Sequence, residues 1–100
     1  MAETLAWLRE DERLILRGEL DQETVGALWE QREAAMAGIG IIDLNAVDRV
    51  DTSGLAMLLH LVHIGHQGGK RVSLVGISDN LTTLAKLYNL PANLIPVATS

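Results

Sequence analysis

Three stretches of this sequence carry side chains that could do chemistry. Asp51, Thr52 and Ser53 put an acid beside two hydroxyls, which could serve as a nucleophile with its acid partner or as a phosphoryl acceptor. His60, His63 and His66 recur at three-residue spacing, so a neighbouring pair on one helix could touch a single metal ion. Val75-Gly76-Ile77-Ser78 places a glycine between a strand and a helix start, where an anion could sit.

Spacing argues against most of this chemistry. A catalytic reading needs Asp51, Thr52 and His60 as acid, nucleophile and base, but Thr52 and His60 stand two helical turns apart. At about 1.5 Å per residue that is roughly 12 Å, beyond the reach of a hydrogen bond. The first and last histidines diverge by about 120° around a helix, and no nearby carboxylate completes a metal site. There is no Gly-x-x-x-x-Gly-Lys-Ser/Thr loop and no Gly-x-Gly-x-x-Gly after a strand, so a plain turn is the simpler reading of Gly76. With no cysteine there is neither a thiolate nucleophile nor a disulfide framework. The expectation is a chain without catalytic residues, metal or cofactor.

The acid and hydroxyls lie at the junction between a short extended link, Asp48 to Asp51, and a helix expected over about 53–66. The first amides of a helix lack internal partners, and Thr52 or Ser53 is placed to cap them. Leu55, Leu58, Leu59 and Val62 form one apolar stripe on that helix, while Met57, Leu61 and Ile64 form a second on roughly the opposite side. One stripe must face a sheet. In a two-layer domain of this size little chain remains to cover the other, so part of it is expected on the surface as an interaction site.

The remaining elements follow from period and punctuation. Leu5 to Leu8 and Arg13 to Arg17 read as two strands joined by a polar turn, Arg9-Glu10-Asp11-Glu12. Asp21 is placed to cap a first helix ending near Gly38, with Val25, Leu28, Trp29, Arg32 and Met36 on one stripe and Leu20 stapled against Val25. Gly40-Ile41-Ile42-Asp43-Leu44, closed by Asn45, reads as a buried central strand. Arg71 to Gly76 gives the next strand, parallel to it because a helix crosses between them. Ser78, Asp79 or Asn80 caps a last helix with Leu81, Leu84, Ala85 and Tyr88 buried and Pro91 as its stop; Leu94 to Val97 could add an edge strand.

The order β-β-α-β-α-β-α predicts a single α/β domain over residues 1–100, with a mixed, mostly parallel sheet and its helices on one face. With 100 residues, 48% of them hydrophobic, there is enough chain for one core. No stretch approaches the roughly 20 apolar residues that span a bilayer, and the acidic N-terminus lacks a secretory signal. The absence of cysteine fits a cytoplasmic protein. A formal charge of −5 with scattered cations disfavours nucleic acid and direct insertion into an acidic membrane surface, which leaves protein partners.

Gly18-Glu19-Leu20-Asp21, Ile41-Ile42-Asp43-Leu44 and Val50-Asp51-Thr52-Ser53-Gly54-Leu55, in this order and spacing, resemble a STAS domain. That module is shared by anti-sigma-factor antagonists and sulfate-transporter tails. The segments from Asp43 to Leu61 and from Thr83 to Ala92 look most like the branch serving as a small cytoplasmic subunit of an ABC transporter, one that moves phospholipids between the inner and outer membranes of Gram-negative bacteria. The resemblance implies a non-catalytic adaptor that binds the transporter ATPase subunit and supports its assembly or activity. It would be peripheral to the inner membrane on its cytoplasmic side. The alternative it carries is an anti-sigma-factor antagonist switched by phosphorylation of Thr52 or Ser53, Thr52 standing where antagonists have a serine directly after the acid. The expected docking face is Asp51, Thr52, Ser53, Leu55, Ala56, Met57, His60 and Leu61.

Overall fold

Leu14, Leu16 and Leu20 alternate with Ile15, Arg17 and Glu19, so an extended chain here must put leucines on one side. The computed structural model, which describes residues 5–69 and 71–87, shows them fully buried on the inner face of β2, Arg13–Leu20. β1, Ala6–Glu10, pairs antiparallel with β2 through a turn in which Asp11 takes φ 54°. β3, Ile41–Val50, and β4, Ser73–Val75, then add in parallel, giving the sheet order β1-β2-β3-β4. The Arg9 guanidinium donates to the Ala37 carbonyl and ties the β1 edge to the chain ahead of β3.

The central strand runs well beyond the expected Leu44, because its pairing with β2 slips twice. The register shifts between Ile15 and Arg17 and again between Gly18 and Glu19, so β3 absorbs extra residues as bulges. Bulges let Asn45, Asp48 and Arg49 stay exposed within a strand whose last residue, Val50, is buried again. The expected extended link is therefore the end of the sheet.

The first helix also differs. It is two short pieces, α1 at Val25–Glu30 and α2 at Arg32–Met36, broken at Gln31 with φ −102° and ψ 12°. Asp21 does not cap α1. Its carboxylate accepts from the Glu23 and Thr24 amides in the turn before it, and Thr24 occupies the cap position. Leu28, Ala35 and Met36 still reach the core, while Trp29 is 43% exposed.

α3, Thr52–Gln67, crosses from β3 to β4, and α4, Asp79–Leu87, begins where the Ser78 hydroxyl accepts from the Leu81 amide. Ala85's side chain, Tyr88, Pro91 and the proposed edge strand at 94–97 lie outside the described residues. Leu14, Ile42 and Leu74 form one row across β2, β3 and β4 and join Leu28, Met36, Leu58, Leu61 and Leu81 in one buried cluster, which puts the helices on one face. The other face carries Leu8, Ile15, Asp43 and Val75 in register. Asp43 is buried there yet satisfied, 2.9 Å from Arg13 and accepting from both the amide and the side chain of Asn45. Burial pushes its carboxyl up, but the Asn45 hydrogen bonds and the Arg13 charge outweigh this and hold it below the ordinary value.

Candidate functional site

The junction between β3 and α3 is built on a backbone contact. The Asp51 amide donates to the Leu20 carbonyl at 3.0 Å, and Gly54, one turn into the helix, lies against that residue so closely that a Cβ would stand 2.2 Å from its oxygen. Glycine is needed here for approach; its side is already occupied by β2.

The cap is Asp51, which corrects the expectation that Thr52 or Ser53 would fill that role. Asp51 has an extended backbone (φ −105°, ψ −171°) and its Oδ1 accepts from the Gly54 amide at 3.0 Å, the usual geometry of an N-cap carboxylate. Its Oδ2 accepts from the Gln22 amide at 3.1 Å. One carboxylate therefore fastens the start of α3 and the loop that leads into α1. Thr52 becomes the first helical residue and is exposed; Ser53 is half-buried.

The expected docking residues do not all reach the surface. Leu55 and Leu61 are core residues, 4% and 0% exposed, and Met57 is 3% exposed. The second stripe of α3 is covered because it borders the first on one broad inward face: Gly54, Met57, Leu58, Leu61 and Gly65 are buried together with Leu55 and Val62, and α1 and α2 pack against the same helix. Thr52 and Ala56 remain exposed, and Asp51, Ser53 and His60 are half-buried.

These residues border a groove that sequence reasoning missed. Between α1 and the first half of α3 lies a cavity of about 480 Å³ lined by Gln22, Val25, Gly26, Trp29, Ser53, Ala56, Met57 and His60. Trp29 packs against His60 with ring centroids 4.6 Å apart and the rings tilted by 42°, and the Arg32 guanidinium lies 4.1 Å from the Trp29 ring centroid in a cation–π contact. The signal available in the sequence was Trp29 itself, a large aromatic side chain on a helix rich in polar residues. His60 and His63 are 6.4 Å apart between centroids, and among the described residues no group of three histidines or carboxylates could hold a metal.

Next to the groove, and sharing Gln22 with it, is a polar ledge formed by Glu19, Asp21, Glu23, Arg49 and Asp51. Burial pushes the Asp21 carboxyl up, but hydrogen bonds from Thr24 and the Glu23 amide outweigh this and hold it below its ordinary value, so it is charged at neutral pH. No helix among the described residues is long and apolar enough to cross a membrane.

The family model for the MlaB STAS domain matches residues 3–96. The chain is 52% identical over 96 residues, covering 96% of it and 99% of the relative, to the intermembrane phospholipid transport system binding protein MlaB of Escherichia coli K12, and equally to that of Shigella flexneri. In fold it is similar to the unphosphorylated anti-sigma factor antagonist SpoIIAA, with a TM-score of 0.67 at 20% identity over 99% of this chain and 90% of that one. A putative anti-sigma factor antagonist from Thermotoga maritima gives 0.70 at 16% identity over 96% and 86%. The chain belongs to the MlaB group of the STAS-domain family.

Proposed function

We propose that this chain is a non-catalytic component of a phospholipid transport system, an adaptor that binds the system's MlaF-like ATPase subunit on the cytoplasmic side of the inner membrane and supports its assembly and activity. The observation that carries this reading is the 52% identity over nearly the whole chain to relatives named as the binding protein of such a system. The geometry supplies a surface for it. Thr52 and Ala56 are exposed on the first two turns of a helix that is anchored at its start, beside a groove walled by a half-exposed tryptophan.

Co-purification of the ATPase subunit with Thr52→Glu tests the reading. A carboxylate added beside Asp51 must be desolvated in a dry interface, so the complex is expected to fall apart while the variant's own melting curve stays close to wild type. Undiminished co-purification would remove Thr52 from the interface.

A second reading, phosphorylation-switched signalling, is favoured by Thr52 standing exposed at the first helical position, where the helix dipole tolerates a phosphate. Phosphate-affinity electrophoresis of the protein from growing cells separates the two readings. A stoichiometric phosphoform supports the switch, and its absence supports the adaptor.

A further inference from the structure

We propose that the groove between α1 and α3 receives a peptide segment of the ATPase partner carrying a large apolar side chain next to a lysine or arginine. The inference rests on the adaptor reading above and names the chemistry that the docking segment must have.

Two adjoining surfaces carry it. The groove is apolar where it is deepest, with Val25 and Met57 at its base and Trp29, Ala56 and His60 around them, and Gly26 leaves space because no side chain fills its position. A volume of about 480 Å³ accommodates one large side chain with room to spare. The ledge is the complement. Among the described residues Asp21, Glu23 and Asp51 line it with the guanidinium of Arg49, and Glu19 lies within hydrogen-bonding reach of the Asp21 carboxyl. Asp51 and Asp21 each accept from backbone amides, which fixes their carboxylates in place. Glu23 is exposed at the outer side.

Gln22 lines both surfaces, so a segment crossing from groove to ledge moves from apolar contact to negative charge within about one residue's length. An acidic segment would be repelled, and a purely apolar one would leave the ledge facing desolvated carboxylates. A cation adjacent to an apolar anchor satisfies both, and its charge also steers the approach.

An array of overlapping peptides covering the ATPase subunit of the same system, probed with the labelled full-length chain, tests this. The array includes copies with every Lys and Arg replaced by Glu. Bound peptides are expected to carry Leu, Phe, Tyr or Trp beside Lys or Arg, and the charge-reversed copies are expected not to bind. In solution, Ala56→Trp, which fills the groove, is expected to abolish binding of the best peptide. Glu23→Lys is expected to weaken it by about fivefold at low salt and to flatten its salt dependence, the scale of one exposed charge contact.

If the ATPase subunit co-purifies but neither Ala56→Trp nor Glu23→Lys affects it, or if the bound peptides lack a cation, the groove proposal is overturned and the adaptor reading stands. If no ATPase subunit co-purifies with the wild-type chain, the adaptor reading itself fails. A dimer of this chain in sedimentation that disappears in Ala56→Trp would overturn the proposal by assigning the groove to a second copy.

Discussion

The two walls of the groove are made in opposite ways. α3 is sixteen residues long, capped by a carboxylate, buried along Leu55, Met57, Leu58, Leu61 and Val62, and pressed against β2 at Gly54. α1 and α2 are six and five residues, neither has a side-chain cap on its first amides, and the break at Gln31 interrupts what the apolar spacing promised as one helix. Helices this short are held by tertiary contacts and not by their own propensity. The difference teaches that the groove has a stiff wall and a soft one. A partner side chain entering it as proposed above would meet a fixed surface on α3 and a shorter, uncapped helix in α1.

The largest effect should come from breaking the stiff wall. In Gly54→Ala the new Cβ would stand 2.2 Å from the Leu20 oxygen and 2.8 Å from its Cβ, and backbone cannot move aside as a flexible side chain can. Prying α3 from β2 is expected to cost about 3 kcal/mol or more, a large share of the roughly 5–15 kcal/mol that holds a domain folded. Urea denaturation measures it. A loss below about 1 kcal/mol would show that the junction yields, and the contrast between the walls would disappear.

The same contrast explains which parts were legible in the sequence. Elements with a strong period were read correctly in kind: the alternation of Leu14 and Leu16, the apolar run at Ile41 and Ile42, and the spacing of Leu55, Leu58 and Val62 on α3 each specify a buried face. The extension of β3 through Asn45 to Val50 was not legible, because bulges against β2 break the alternation and polar residues then look like a turn. Nor was the burial of Met57 and Leu61, since how much of α3 faces inward is decided by what packs against it in space. At the site, the Asp-Thr-Ser-Gly stretch was recognisable as a helix start, but its cap was misassigned. A carboxylate and two hydroxyls in succession can all cap in principle, and the strand pairing that puts Asp51 opposite the Leu20 carbonyl decides between them.

A smaller effect should follow from cutting the tie between the walls. Asp51→Ala removes the acceptor for both the Gly54 and the Gln22 amides and is expected to cost about 1–2 kcal/mol. Asp51→Asn sharpens the test. Its carbonyl oxygen can still cap Gly54, but its amide group then faces the Gln22 N–H, donor against donor. Amide hydrogen exchange should show Gln22 losing protection while Gly54 keeps it, with a stability loss about half that of the alanine variant. Equal loss of protection at both amides would mean that the α1 loop and the α3 start open as one unit.

The smallest effect is a gain, and it comes from stiffening the soft wall. Gly26 sits within α1, where a glycine lowers helix stability by leaving more backbone freedom to be lost on folding, and a Cβ there meets nothing within 4 Å. Gly26→Ala is therefore expected to raise stability by about 0.5–1 kcal/mol, read as a higher urea midpoint with an unchanged slope. Because Gly26 also lines the groove, the methyl narrows the mouth through which a partner side chain would enter. A stabilised protein that binds its partner segment less tightly would show that this glycine keeps the soft wall open and yielding at the expense of α1. If stability rises and binding is untouched, the extra backbone freedom at Gly26 has no part in docking, and the tolerance of the groove must come from the break at Gln31 instead.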